Sequence, residues 1–190
     1  MKYIGIVGHT VPPDAVGYEE YMGKLIHWHI VAIWSDNSVD DGKLKQGFED
    51  NEAYHYDTAK PYRGRHQIDV LIDRQTYTIP HRCPNQASYF FPVKKNLTAS
   101  QLEGTIIKGK NLHNYEYNGK FSGCLGWSKT LIKVLAADGY IDGNALATVE
   151  SKVLRPIRGL KEGKNPKYEV PIDDGQFFKK TGSKFENITI

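Results

Sequence analysis

No stretch of this sequence approaches the roughly 20 consecutive apolar residues that a bilayer span requires, so a membrane helix is not expected. Cysteine is scarce as well: Cys83 and Cys124 are the only two, too few for a disulfide framework. Blocks of basic charge are missing. The formal net charge of +3 arises from interspersed signs, and a phosphate footprint needs clustered Lys and Arg, so nucleic acid is not an expected partner. Phosphate-binding glycine patterns are absent too. Gly5-Ile6-Val7-Gly8 lacks the Gly-Lys-Ser/Thr ending, and no GxGxxG occurs. The stretch from Met1 to His9 reads as an opening strand, with an apolar run too short for a signal-peptide core and no small-residue cleavage site. The expected setting is the cytoplasm, where both thiols stay reduced.

What the chain does have is aromatic surface. Its 12 Tyr, 7 Phe and 3 Trp supply rings that suit half-buried strands, small-molecule pockets and ordinary cores alike. With 190 residues, 39% of them hydrophobic, the chain can build one sizeable core, and residues 1–190 are expected to form a single domain.

Patterning predicts strands first and helices second. Lys24 to Trp34 is rich in β-branched and aromatic residues and ends on Ser35-Asp36-Asn37-Ser38 turn chemistry. Gln67 to Asp73, Gln75 to Ile79 and Ala87 to Val93 predict further strands. Between them, Asp40 to Arg65 is polar and reads as a long exposed loop. Ser100 and Glu103 stand at capping-box spacing and predict a helix running to about Gly109. A short strand at Asn114 to Tyr117 leads to Cys124, after which Trp127, Leu131, Val134 and Leu135 recur at helical spacing until Gly139. Asp142 can cap another helix, with Leu146, Val149, Val153 and Leu154 on one face and Pro156 as its stop. The tail from Arg158 to Ile190 is only weakly patterned. The fold class is α+β, an antiparallel β-sheet packed against a few helices.

Two elements carry chemistry. Cys124 sits at a helix start, with Ser122 as the expected N-cap, where unpaired amides and the helix dipole favour a thiolate. The plain alternative is a small buried hydrophobe. His27-Trp28-His29 lies inside a strand, so the two imidazoles share one face and Trp28 points to the other. That pair fits a general base for a thiol, two metal ligands, or two exposed surface residues. His81-x-Cys83 is half a metal site at best and reads as a loop.

Taken together, the His27-Trp28 pair opening a β-branched strand and Gly123-Cys124-Leu125-Gly126-Trp127 at a helix start resemble the lecithin-retinol acyltransferase (LRAT)-like group, circularly permuted relatives of the NlpC-type papain-fold peptidases. The likeness covers roughly Leu25 to Gly139. Gly123 stands where the group has Asn, and Leu125-Gly126 where it has Glu-His. The layout is also similar to an uncharacterised fungal family. The resemblance implies a papain-like fold and thiol-dependent acyl hydrolysis or transfer on a small-molecule ester, thioester or amide, with no cofactor. Cys124 would be the nucleophile and His27, or His29 on the same face, the base. Asp40 lies nearest the position of the group's third polar residue and would orient His27, with Asp41 and Asp69 as further candidates. Trp28, Trp127, Tyr115 and Tyr117 would line the substrate site. A different class of function is open beside it: a small-molecule-binding protein, or a non-covalent cyclase, using an aromatic-lined pocket on the same scaffold.

Overall fold

Hydrophobic alternation along the first two strands determines how the molecule is layered. The computed structural model describes residues 1–10, 26–34, 36, 39–45, 52–59, 69–76, 87–116, 123–162, 176–181 and 184–188. Strand β1 (Tyr3–Thr10) pairs antiparallel with β2 (Ile26–Ile33) in a register that sets Gly8 opposite Trp28 and His9 opposite His27. Strands β5 (Glu52–Ala59), β6 (Asp69–Thr76) and β7 (Ser88–Pro92) complete a five-stranded sheet in the order β6-β5-β2-β1-β7. A short hairpin, β3 (Val39–Asp40) and β4 (Lys43–Leu44), and a second sheet made of β8 (Tyr115–Glu116), β9 (Gln176–Thr181) and β10 (Lys184–Ile188) are the other strand elements described.

Helices cover one face of the large sheet. Helix α1 (Cys124–Ala137) packs mainly on β2 and also touches β1 and β5. Residues at even positions of β1 and β2 (Ile4, Ile6, Ile26, Trp28, Ile30) join the core beneath α1, together with Cys124, Trp127 and Leu131. Odd positions of β1 and β2 (Val7, Val31, Ile33) form a smaller cluster on the opposite face with Ala53 of β5 and Phe90 of β7, against which Val39 and Leu44 of the hairpin pack. The period of two sorts the residues between the two faces. The α+β class and the antiparallel sheet with helices are thus as expected.

The Gly-Ile-Val-Gly run has a packing explanation. A Cβ at Gly8 would stand 2.8 Å from Cζ3 of Trp28 and 2.7 Å from Cγ2 of Ile26, so Gly8 is the seat on which the Trp28 ring rests. Gly5 plays the same part on the other face, under the ring of Phe90.

Several expectations need correction. The stretch read as an exposed loop holds the β3–β4 hairpin and all of β5, which is held by pairing with β2 on one side and β6 on the other. In place of two strands over Gln67 to Ile79, one continuous strand, β6, is described, and residues 77–79 lie outside the described set. The capping box is built two residues earlier than expected. Thr98 N–H donates to Gln101 Oε1 at 2.9 Å and Gln101 N–H to Thr98 Oγ1 at 3.2 Å, and the segment Gln101–Lys108 is π-helical. Pro156 does not stop a helix. After α2 (Ala145–Val149) and a π-helical stretch, Glu150–Leu154, the chain continues as α3 (Arg155–Glu162). Pro156 lies directly after the π-helical stretch, within this continuous helical run. The weakly patterned tail contributes α3, β9 and β10. Gly139 does end α1 as expected. It has φ +72°, and the Gly139 and Tyr140 amides donate to Ala136 and Leu135 carbonyls in the Schellman pattern.

The seat of Trp28 is testable. Gly8→Ala should destabilise the chain by about 1–3 kcal/mol through overpacking, read as a lower urea midpoint at unchanged slope. Gly143, with nothing within 4 Å of an added Cβ, is the control, and Gly143→Ala should stay within about 0.5 kcal/mol. Equal losses at the two sites would remove Trp28 as the cause.

Candidate functional site

Three imidazoles meet on the sheet face turned away from α1. His9, the penultimate residue of β1, lies directly opposite His27, and His29 pairs with Val7 one step along the same face. Ring centroids of His9 and His27 lie 5.2 Å apart, His9 and His29 5.1 Å, and His27 and His29 6.4 Å. His29 is buried, while His9 and His27 are half-buried. The strand period predicts this shared face for His27 and His29. The third ring, His9, comes from the β1–β2 register and was legible in sequence only as a His at the end of the opening strand.

Cys124 lies elsewhere. It is the first residue of α1, 4% exposed, in the same core as Trp28, Trp127 and Tyr115. Trp28, not His27, is the residue of the His-Trp-His run that faces this helix. The sheet therefore stands between the thiol and both imidazoles, and the expected pairing of Cys124 with His27 or His29 is not formed. Gly123, with φ 144°, occupies the N-cap position and makes no side-chain cap. The expected cap, Ser122, lies outside the described residues.

The remaining expected residues divide in the same way. Asp40 is exposed on the β3–β4 hairpin, which packs against β7 and the Val31–Ile33 end of β2. Gly42 of that hairpin accepts from the Phe90 amide, opposite Gly5, whereas His27 lies opposite His9. The four-residue offset along β1 is roughly 13 Å, so Asp40 is not brought to His27. Asp41 is exposed on the same hairpin. For Asp69 only its place at the start of β6 is described, and Tyr117 lies outside the described residues, as do His81 and Cys83. Trp127 and Tyr115 serve the fold with their polar ends: Trp127 Nε1 donates to the Leu112 carbonyl at 2.8 Å and Tyr115 Oη to the Gly123 carbonyl at 2.9 Å. Among the described residues no three His, Cys, Asp or Glu side chains stand together in a way that can hold a metal ion. No helix described is long and apolar enough to cross a membrane.

An antiparallel sheet with helices on one face and a cluster of imidazoles on the other defines an α+β protein whose ionisable candidate groups are histidines. The chain belongs to a family described as a domain of unknown function, DUF7770, whose model matches residues 4–178. No curated protein and no solved structure matches it.

Burial makes a direct prediction for Cys124. In the folded chain iodoacetamide should alkylate it at least about tenfold more slowly than in the urea-unfolded chain, because reaction waits on local opening. Equal rates in the two states would show that the thiol is accessible.

Proposed function

We propose that this chain binds a small polar molecule on its histidine face and transfers protons there, without a covalent thiol step. The observation that carries this reading is the convergence of His9, His27 and His29 on one face of β1 and β2, with centroids 5.1 and 5.2 Å from His9 to the other two. Imidazole takes up and releases protons near neutral pH and offers both a donor and an acceptor. Three such rings can hold a polar ligand in place while one serves as acid or base. Partial burial of His9 and His27 leaves them reachable, and the rigid pairing of two central strands holds them in position.

Thiol-dependent acyl hydrolysis or transfer by Cys124, on a papain-like, permuted NlpC-type arrangement, is the competing reading that the LRAT-like resemblance supplies. The two readings predict opposite results. A panel of small carboxylic acids, amides and alcohols is titrated while the ring signals of the three histidines are followed by NMR. A ligand found in this way should bind at least about tenfold more weakly to His27→Ala and His9→Ala, and within about twofold of the parent to Cys124→Ala. Binding or turnover that survives both histidine changes and is lost in Cys124→Ala would overturn the histidine reading in favour of the thiol one.

A further inference from the structure

Several polar groups between α1 and the sheet are satisfied by backbone carbonyls, and others are not. Trp127 Nε1, Tyr115 Oη and Thr130 Oγ1 each donate to a backbone carbonyl, at 2.8, 2.9 and 2.9 Å. Among the described residues, Trp28 Nε1, Tyr56 Oη and Ser128 Oγ have no hydrogen-bond partner, although all three residues are fully buried, at 0% exposure. Each such orphan lowers stability, and folded proteins hold few of them.

These residues are neighbours in the fold. Tyr56 pairs with Ile30 across β2 and β5, which makes Trp28 its diagonal neighbour on the helix-covered face, about 7–8 Å away. The Cε3–Cζ3 edge of Trp28 rests over Gly8 of β1, which leaves the edge bearing Nε1 turned away from Gly8. Ser128 stands one turn after Cys124 on α1, the helix that covers β2 and β5. From the surface, a row of rings leads inward: Trp34, 37% exposed, lies 4.8 Å from half-buried Tyr54, which lies 6.5 Å from Tyr56.

We propose that Trp28, Tyr56 and Ser128 form an interior binding site for a small neutral carbonyl compound, reached along the Trp34–Tyr54–Tyr56 row. The indole N–H can only donate, so the ligand must present an acceptor, and a carbonyl oxygen has two lone pairs for Trp28 and one hydroxyl. The second hydroxyl serves a donor or acceptor elsewhere on the ligand. Neutrality follows from the walls. The core residues around the site are apolar or aromatic, and an ion there would meet a large desolvation penalty. Burial, with Glu103 and Tyr54 nearby, raises the Tyr56 hydroxyl far above the usual tyrosine range and keeps it protonated. This site is independent of the histidine cluster, from which the sheet separates it.

The experiment uses the full chain labelled with ¹⁵N, with acetamide as the neutral probe and acetate as the charged control. Acetamide should shift the Trp28 indole N–H signal saturably and leave those of Trp127 and the three histidine rings unmoved, while acetate does nothing. Ser128→Ala should weaken the acetamide effect about tenfold, the size of one lost hydrogen bond. It should also raise the melting temperature of the ligand-free chain, since an unsatisfied hydroxyl is removed. Tyr56→Phe should act in the same way, and if it fails to fold, Ser128→Ala alone decides. No saturable shift with acetamide overturns the site. So does a Trp28 N–H that contacts only a slowly exchanging water which acetamide does not displace. A fall in melting temperature for Ser128→Ala overturns it as well, by showing that the hydroxyl is already satisfied.

Discussion

Trp28 resting on Gly8 is the contact on which the rest of the arrangement depends. A large indole on a central strand needs room on the neighbouring strand, and glycine is the residue that provides it without a bulge. Once Trp28 faces the helices, the strand period leaves no freedom. Ile26 and Ile30 share its side, and His27, His29 and Val31 take the other. Slipping β2 by one residue would turn His27 and His29 beneath α1 and the indole away from it. The hydrophobic difference between these alternatives is large, because fully burying a single large apolar side chain contributes about 1.5–3 kcal/mol.

That constraint also explains how the sequence reads correctly in part and misleads in part. Alternation in Ile26 to Ile33 announces a strand and puts both histidines on one face, as found. It does not say which face meets the helix, because His-Trp-His has a plausible core residue on either side. Choosing the face needs the long-range partners: Gly8 beneath Trp28, and Val7 and Phe90 on the opposite side. The likeness to a thiol–imidazole pattern is carried by residue identities along the chain, and such a likeness says nothing of the face.

Local signals were legible wherever the structure is locally determined. Gly139 closes α1 because only a positive φ allows the final turn to bond its last carbonyls, and the Tyr140 amide completes that turn. Strand β5 was not legible. Glu52–Ala59 carries Glu, His and Asp, and it is a strand because β2 and β6 pair with it on either side. Strand preference is set by neighbours more than by composition, so a polar segment between two partners is read as a loop. Tyr56, the residue that this segment brings into the core, was missed for the same reason. Ser128 was missed because a serine on a helix usually points to solvent or bonds back to its own backbone, as Thr130 does here.

The two faces of the sheet have opposite electrostatic character. The helix-covered side is dry, and there a polar atom without a partner lowers stability directly. The histidine side leaves His9 and His27 half-buried and His29 buried. A thiol mechanism would need a charged pair, thiolate and imidazolium, inside the layer where Cys124 is buried in the same core as Trp28, Leu125 and Trp127. Forming such a pair there requires desolvating both ions, and only close mutual contact offsets that penalty. The sheet prevents that contact. This asymmetry is why the two proposals fall on opposite faces, proton transfer with the imidazoles and binding of a neutral ligand with the hydroxyls and indole.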